Sequence, residues 1–107
     1  MARTNQRFLD WLRAKSPNLV VLGRVWNKHG TEYTTPQTNG WPDFAIRLDE
    51  NKVVIYEVKA IGEPVMPSQR EILTMLAGLG AKVYVAEERR EGGFELVRVE
   101  TERTYLG

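Results

Sequence analysis

The chain contains no cysteine and a single histidine, His29. The first absence excludes disulfides, thiolate zinc sites and cysteine nucleophiles, and leaves the redox compartment open. The second excludes a nuclease built on a histidine–asparagine–histidine arrangement. No Gly-rich phosphate loop, Ser-His-Asp pattern or zinc-ligand spacing is present either, which removes the common nucleotide-cradling and serine-hydrolase chemistries. No apolar run approaches the ~20 residues of a membrane-spanning helix, and the N-terminus lacks the apolar stretch of a signal peptide; cytoplasmic residence without a membrane partner is therefore the expectation. Charge of one sign is also missing: 15 Lys and Arg face 14 Asp and Glu, a net charge of +1. Bulk charge thus does not announce a nucleic-acid partner, and any basic surface must be local.

What is present is ordinary for a soluble globular protein, with 42% hydrophobic and 27% charged residues in 107. That length suits one domain, 1–107, with a single core, small enough to gain from oligomerisation. Thr4 is placed to cap a first helix from about Asn5 to Lys15, with Phe8, Leu9, Trp11 and Leu12 on its apolar side and Ser16-Pro17 stopping it. Leu19 to Trp26 reads as a strand, and Gly30 to Gly40 as a loop rich in turn residues. Ser68-Gln69-Arg70-Glu71 has the pattern of a capping box opening a second helix, with Ile72, Leu73, Leu76 and Leu79 expected on its buried side and Gly78 or Gly80 ending it. Lys82 to Ala86 and Phe94 to Glu100 read as strands joined through Gly92-Gly93. The order αβββαββ predicts an α/β fold, a mixed central sheet flanked by helices.

The most informative stretch runs from Gly40 to Lys59. Two apolar segments flank Asp49-Glu50-Asn51, which reads as a hairpin loop of about three residues. If Leu48 pairs with Lys52, Asp43 falls directly opposite Glu57, where Cβ atoms approach to roughly 4.5–5.5 Å. Lys59, two residues beyond Glu57, shares that face. The other face, Phe44, Ile46, Leu48, Val54, Tyr56 and Val58, is wholly apolar and must be covered. Opposed carboxylates repel unless a cation or a proton sits between them. A hard divalent cation with oxygen ligands answers that need, and an ammonium beside it would orient a water or stabilise developing charge. A solvated strand face of alternating charges is the competing interpretation.

Pro42-Asp43 followed by Glu57-Val58-Lys59 matches the PD-(D/E)xK nuclease signature. More closely, the chain from about Arg24 to Ala86 resembles the virus-type replication-repair nuclease (VRR-NUC) domain, whose small phage members are similar to archaeal Holliday-junction resolvases. The resemblance rests on the Gly-rich approach to Asp43, Glu57-Val58-Lys59-Ala60, Ser68-Gln69 at a helix start, and the Gly80-Ala81-Lys82-Val83-Tyr84-Val85 strand. It implies a restriction-endonuclease-like core and a Mg²⁺- or Mn²⁺-dependent, structure-selective DNA endonuclease, active as a homodimer on branched DNA. It implies catalytic roles for Asp43, Glu57, Lys59 and Gln69, and metal ligation by Asp43, Glu57 and an acidic residue on the first helix. Asp10 has the charge for that third position; Gln6, its rival, departs from it. Arg24, Asn27, Lys28 and His29, ahead of the loop, are candidate phosphate contacts, with a solvated loop as the competing interpretation and the better one for His29 alone; Arg3, Arg7, Arg13, Lys15, Arg89 and Arg90 are further candidates that solubilising charge explains as well. Trp41 is placed either to stack on a base or to brace Asp43. The alternative function is a nucleic-acid-binding or accessory domain that keeps the fold without turnover.

Overall fold

The computed structural model describes residues 2–24 and 41–100. Helix α1 spans Ala2–Lys15 and starts earlier than Thr4 as a cap would allow. Thr4 is instead a buried residue inside the helix, its Oγ1 accepting a hydrogen bond from Arg7 Nη2 at 3.3 Å. Phe8, Leu9 and Leu12 form the buried stripe, and the residue before Pro17 is pushed out of the helical region, which ends the helix.

Five strands make one sheet in the order β1-β2-β3-β4-β5: β1 Val20–Arg24, β2 Phe44–Asp49, β3 Lys52–Lys59, β4 Lys82–Glu88 and β5 Phe94–Arg98. Only β3 and β4 are parallel; the other neighbours are antiparallel. Helix α2, Pro67–Gly78, makes the crossover between the parallel pair, as a parallel connection requires. In the β2–β3 hairpin Phe44 faces Tyr56, Ile46 faces Val54 and Arg47 faces Val53, the register that the apolar alternation predicts. The turn differs. Asp49, not Leu48, pairs with Lys52, the register shifting between Arg47 and Asp49. Glu50-Asn51 is therefore a two-residue turn, steadied by Asn51 N donating to Asp49 Oδ1 at 3.0 Å, and Leu48 is the extra residue of a bulge.

The apolar hairpin face packs under α1. Phe8 stands at the centre, its ring 5.0 Å from that of Tyr56, 5.3 Å from Phe94 and 6.2 Å from Phe44. We expect Phe8→Ala to destabilise the chain by about 3–5 kcal/mol in chemical denaturation, since the aromatic cluster loses its common member. The opposite face packs under α2 through Leu73, Val83 and Val85. Leu79 does not join that layer. Gly80, at φ +101°, turns the chain out of the helix, with Gly80 N bonded to Ala77 O and Ala81 N to Leu76 O, and Leu79 is left 79% exposed. Among the described residues no helix is long and apolar enough to cross a membrane.

Candidate active site

Three elements converge at one end of the parallel pair. Asp43 directly precedes β2, behind the buried Pro42. Its backbone N–H donates to Tyr56 O at 3.1 Å, and its Oδ2 accepts from Val58 N at 2.8 Å, so the carboxylate is tied across onto β3. Glu57 and Lys59 project from β3 toward the α2 side, with 3% and 2% of their surfaces exposed. Gln69, in the first turn of α2, binds both: its Nε2 donates to Glu57 Oε2 at 3.1 Å, and its Oε1 accepts from Lys59 Nζ at 2.7 Å. The same Oε1 accepts from Met66 N at 2.9 Å and so caps the helix start. The N-cap is thus Met66, closed by the Gln69 side chain, and not Ser68, because Pro67 opens the helix two residues earlier than the Ser-Gln-Arg-Glu pattern suggests. Lys59 Nζ also lies 3.3 Å from Glu57 Oε2 and 3.6 Å from Glu63 Oε2.

One oxygen in this network has no partner among the described residues. Glu57 Oε1 is buried and accepts no hydrogen bond. Burial and then the nearby Asp43 carboxylate push the Glu57 carboxyl up to about 8, more than the Lys59 ammonium offsets. Burial also raises Asp43, opposed by the Val58 N–H, by Lys59 and by a side-chain hydrogen bond from Asn5. The buried Glu57 carboxyl, with the half-buried Asp43 carboxylate beside it, therefore favours holding a proton at neutral pH in spite of the Lys59 ammonium.

The structure brings together Asp43, Glu57, Lys59 and Gln69. Asp10 does not join them: it is exposed and accepts a hydrogen bond from the exposed Gln6 Nε2 at 3.0 Å, both lying off the buried stripe of α1. The helix-one residue that reaches Asp43 is Asn5. Its signal was available, because Asn5, Phe8, Leu9 and Leu12 follow the i, i+3, i+4, i+7 spacing of a helix face turned to the sheet. Glu63 was also missed. It lies in the β3–α2 connection, where only the turn geometry reveals its approach to Lys59. Among the described residues no three His, Asp or Glu side chains gather as a metal-holding group.

Arg24 ends β1 opposite Phe44, next to Asp43 in the register. Asn27, Lys28 and His29 lie outside the described residues, as does the Gly30–Gly40 loop. Trp41 is half-buried. Arg7 is engaged by Glu88 at 2.6 and 3.0 Å, and Arg89 by Glu91 and Glu95 at 2.8 Å each; these arginines are paired within the protein.

Comparison with known proteins agrees with this geometry. The fold is similar to that of Hjc from Archaeoglobus fulgidus, described as a Holliday junction resolvase from an archaeal hyperthermophile, with 22% identity, a TM-score of 0.58, and coverage of 88% of this chain and 76% of that one. No curated protein matches. The family model for the VRR-NUC domain matches residues 3–89, a span that takes in α1 with Asn5, both carboxylates, Lys59 and the α2 glutamine. The chain belongs to the VRR-NUC domain family.

Proposed function

We propose that this chain is a divalent-metal-dependent endodeoxyribonuclease that hydrolyses phosphodiester bonds in branched DNA. The observation that supports this most is the buried Glu57 Oε1, without a partner among the described residues, beside the half-buried Asp43 carboxylate. A buried acceptor left unsatisfied costs about 1–3 kcal/mol or more when charged, a penalty that a bound cation relieves. The carboxylates of Asp43 and Glu57 are hard oxygen donors, which suit Mg²⁺ or Mn²⁺ and not a thiolate-preferring metal. When bound, such an ion supplies positive charge that polarises a phosphate and acidifies a water.

The protein's own groups do the rest. Val58 N–H and Asn5 fix the direction of Asp43. Gln69 bridges Glu57 and Lys59 and holds both in place, and Lys59 Nζ, enclosed at the same end of the sheet, is set to stabilise the negative charge that develops on the phosphate. Arg24, Lys28 and His29 would track the DNA backbone. A reading as a binder without turnover draws on one observation: α1 presents an amide, Asn5, where a third carboxylate would strengthen metal binding.

Calorimetry separates these readings. Mg²⁺ or Mn²⁺ binding that vanishes in Asp43→Asn and Glu57→Gln supports the enzyme; no binding to the wild type favours the binder. Ca²⁺ is expected to support DNA binding with little cleavage, its looser coordination placing water poorly.

A homodimer is part of the same proposal, since a 12.3 kDa chain offers little surface to a junction and two-fold pairing sets two active sites at fixed separation. The buried stripe of α1 is committed to the core, whereas Met75 on α2, Leu79 just after it, and Leu96 and Val97 on β5 remain exposed. Light scattering at micromolar concentration should give twice the chain mass, and a four-way junction should bind more tightly than linear duplex, with steep salt dependence. A monomer with equal affinity for both DNAs would remove the resolvase-like part alone.

A further inference from the structure

Lys59 is enclosed by one hydrogen-bond acceptor and two carboxylates at ion-pair distance. An ammonium has three N–H groups, and the Lys59 Nζ faces three acceptors: Gln69 Oε1 at 2.7 Å, Glu57 Oε2 at 3.3 Å and Glu63 Oε2 at 3.6 Å. With Lys59 only 2% exposed, an incoming phosphate reaches the ammonium only if one of these neighbours moves. One acceptor must give way. Gln69 is held by the helix cap and by Glu57, and Glu57 is buried. Glu63 differs from both, its side chain being 49% exposed and its contact with Lys59 the longest of the three.

The turn presents Glu63 in that position. Ala60 O accepts from Glu63 N at 3.0 Å, Ala60 N donates to Glu63 Oε1 at 2.9 Å, and Gly62 at φ +79° closes the bend. One carboxylate oxygen therefore anchors to the turn while the other covers Lys59. Resting on the nuclease reading for the role of Lys59, we propose that Glu63 is a displaceable latch over Lys59, a positioning residue that competes with the substrate phosphate for the ammonium and so sets the affinity for DNA. A phosphate on this side exchanges a long ion pair, half-exposed on its Glu63 side, for a new charge-assisted hydrogen bond. A carboxylate at the mouth also repels any phosphate that fails to reach Lys59.

The test uses Glu63→Gln, which keeps an oxygen to accept from Ala60 N–H and removes the charge. Nitrogen-detected NMR of the lysine ammonium groups, with the Lys59 signal assigned by its loss in Lys59→Met, should show faster solvent exchange at Lys59 in Glu63→Gln than in the wild type. Binding of a labelled four-way junction in chelator should tighten about threefold, and that gain should vanish in the Lys59→Met background. Unchanged exchange at Lys59, or equal tightening in both backgrounds, would overturn the latch. A wild type that binds no DNA would sink the nuclease reading and, with it, the role of Glu63 in DNA affinity, whereas faster exchange in Glu63→Gln would then still support Glu63 as the cover over Lys59.

Discussion

Glu57→Gln should abolish cleavage while leaving the metal-free protein as stable as the wild type at pH 4, more stable at pH 6 and more stable still at pH 9. The two halves of this result come from one carboxyl. Its pKa in the folded chain is about 8 against an ordinary 4.5, with burial the main cause and Asp43 the next. Below the ordinary value the proton is bound in both folded and unfolded states, and the contribution to stability is fully present. Between 4.5 and about 8 the folded state binds more protons than the unfolded one, so stability falls as pH rises through that window, by at most about 1.4 kcal/mol per pH unit, and the contribution is gone above it. Glutamine mimics the protonated form and removes the slope. Melting curves of the two proteins from pH 5 to 9 should therefore diverge with rising pH. Parallel curves would mean that Glu57 is not the group that holds the proton. Cleavage should fall by a hundred- to a thousandfold or more, roughly the loss seen when one preorganised electrostatic group is removed from an active site, and Asp43→Asn and Lys59→Ala should fall comparably.

The second large effect is linkage between metal and proton. A cation between Asp43 and Glu57 must displace the proton that Glu57 carries at neutral pH, so apparent affinity for Mn²⁺ should rise with pH up to about 8 and level off beyond it. Titration calorimetry in buffers of different ionisation enthalpy should register proton release near pH 7 and almost none at pH 9. Saturating Mn²⁺ should also flatten the fall in melting temperature with pH, because the ion supplies the positive charge that the proton otherwise provides. Affinity independent of pH would place the ion elsewhere.

How much of this was legible in the sequence differs by element. The hairpin register was, because period-2 alternation from Phe44 to Val58 leaves one face wholly apolar and a one-residue slip would expose it. The turn was not, since a bulge at Leu48 changes the pairing without disturbing the alternation on either side. Asp43, Glu57 and Lys59 could be placed together from that register; the tie from Val58 N to Asp43 Oδ2 could not, as backbone donors carry no sequence signal. Helix one shows the opposite failure. Its apolar stripe was evident, yet charge suggested Asp10 whereas spacing indicates Asn5, and spacing decides because side-chain direction on a helix is set by the 100° step between residues. Leu79 was assigned to a buried side that ends one residue too soon, a limit imposed by Gly80 at positive φ. Glu63 depends on how the chain bends between β3 and α2, which composition does not encode.

The account is tested most directly by incubating the purified wild type and Asp43→Asn, Glu57→Gln and Lys59→Ala with labelled four-way-junction and duplex DNA, in Mg²⁺, in Mn²⁺ and in chelator. The expected result is junction cleavage by the wild type in either metal, none in chelator, and none by the three variants. Cleavage that persists in chelator, or full activity in any one variant, would contradict the assignment of Asp43, Glu57 and Lys59 as a metal-dependent nuclease centre.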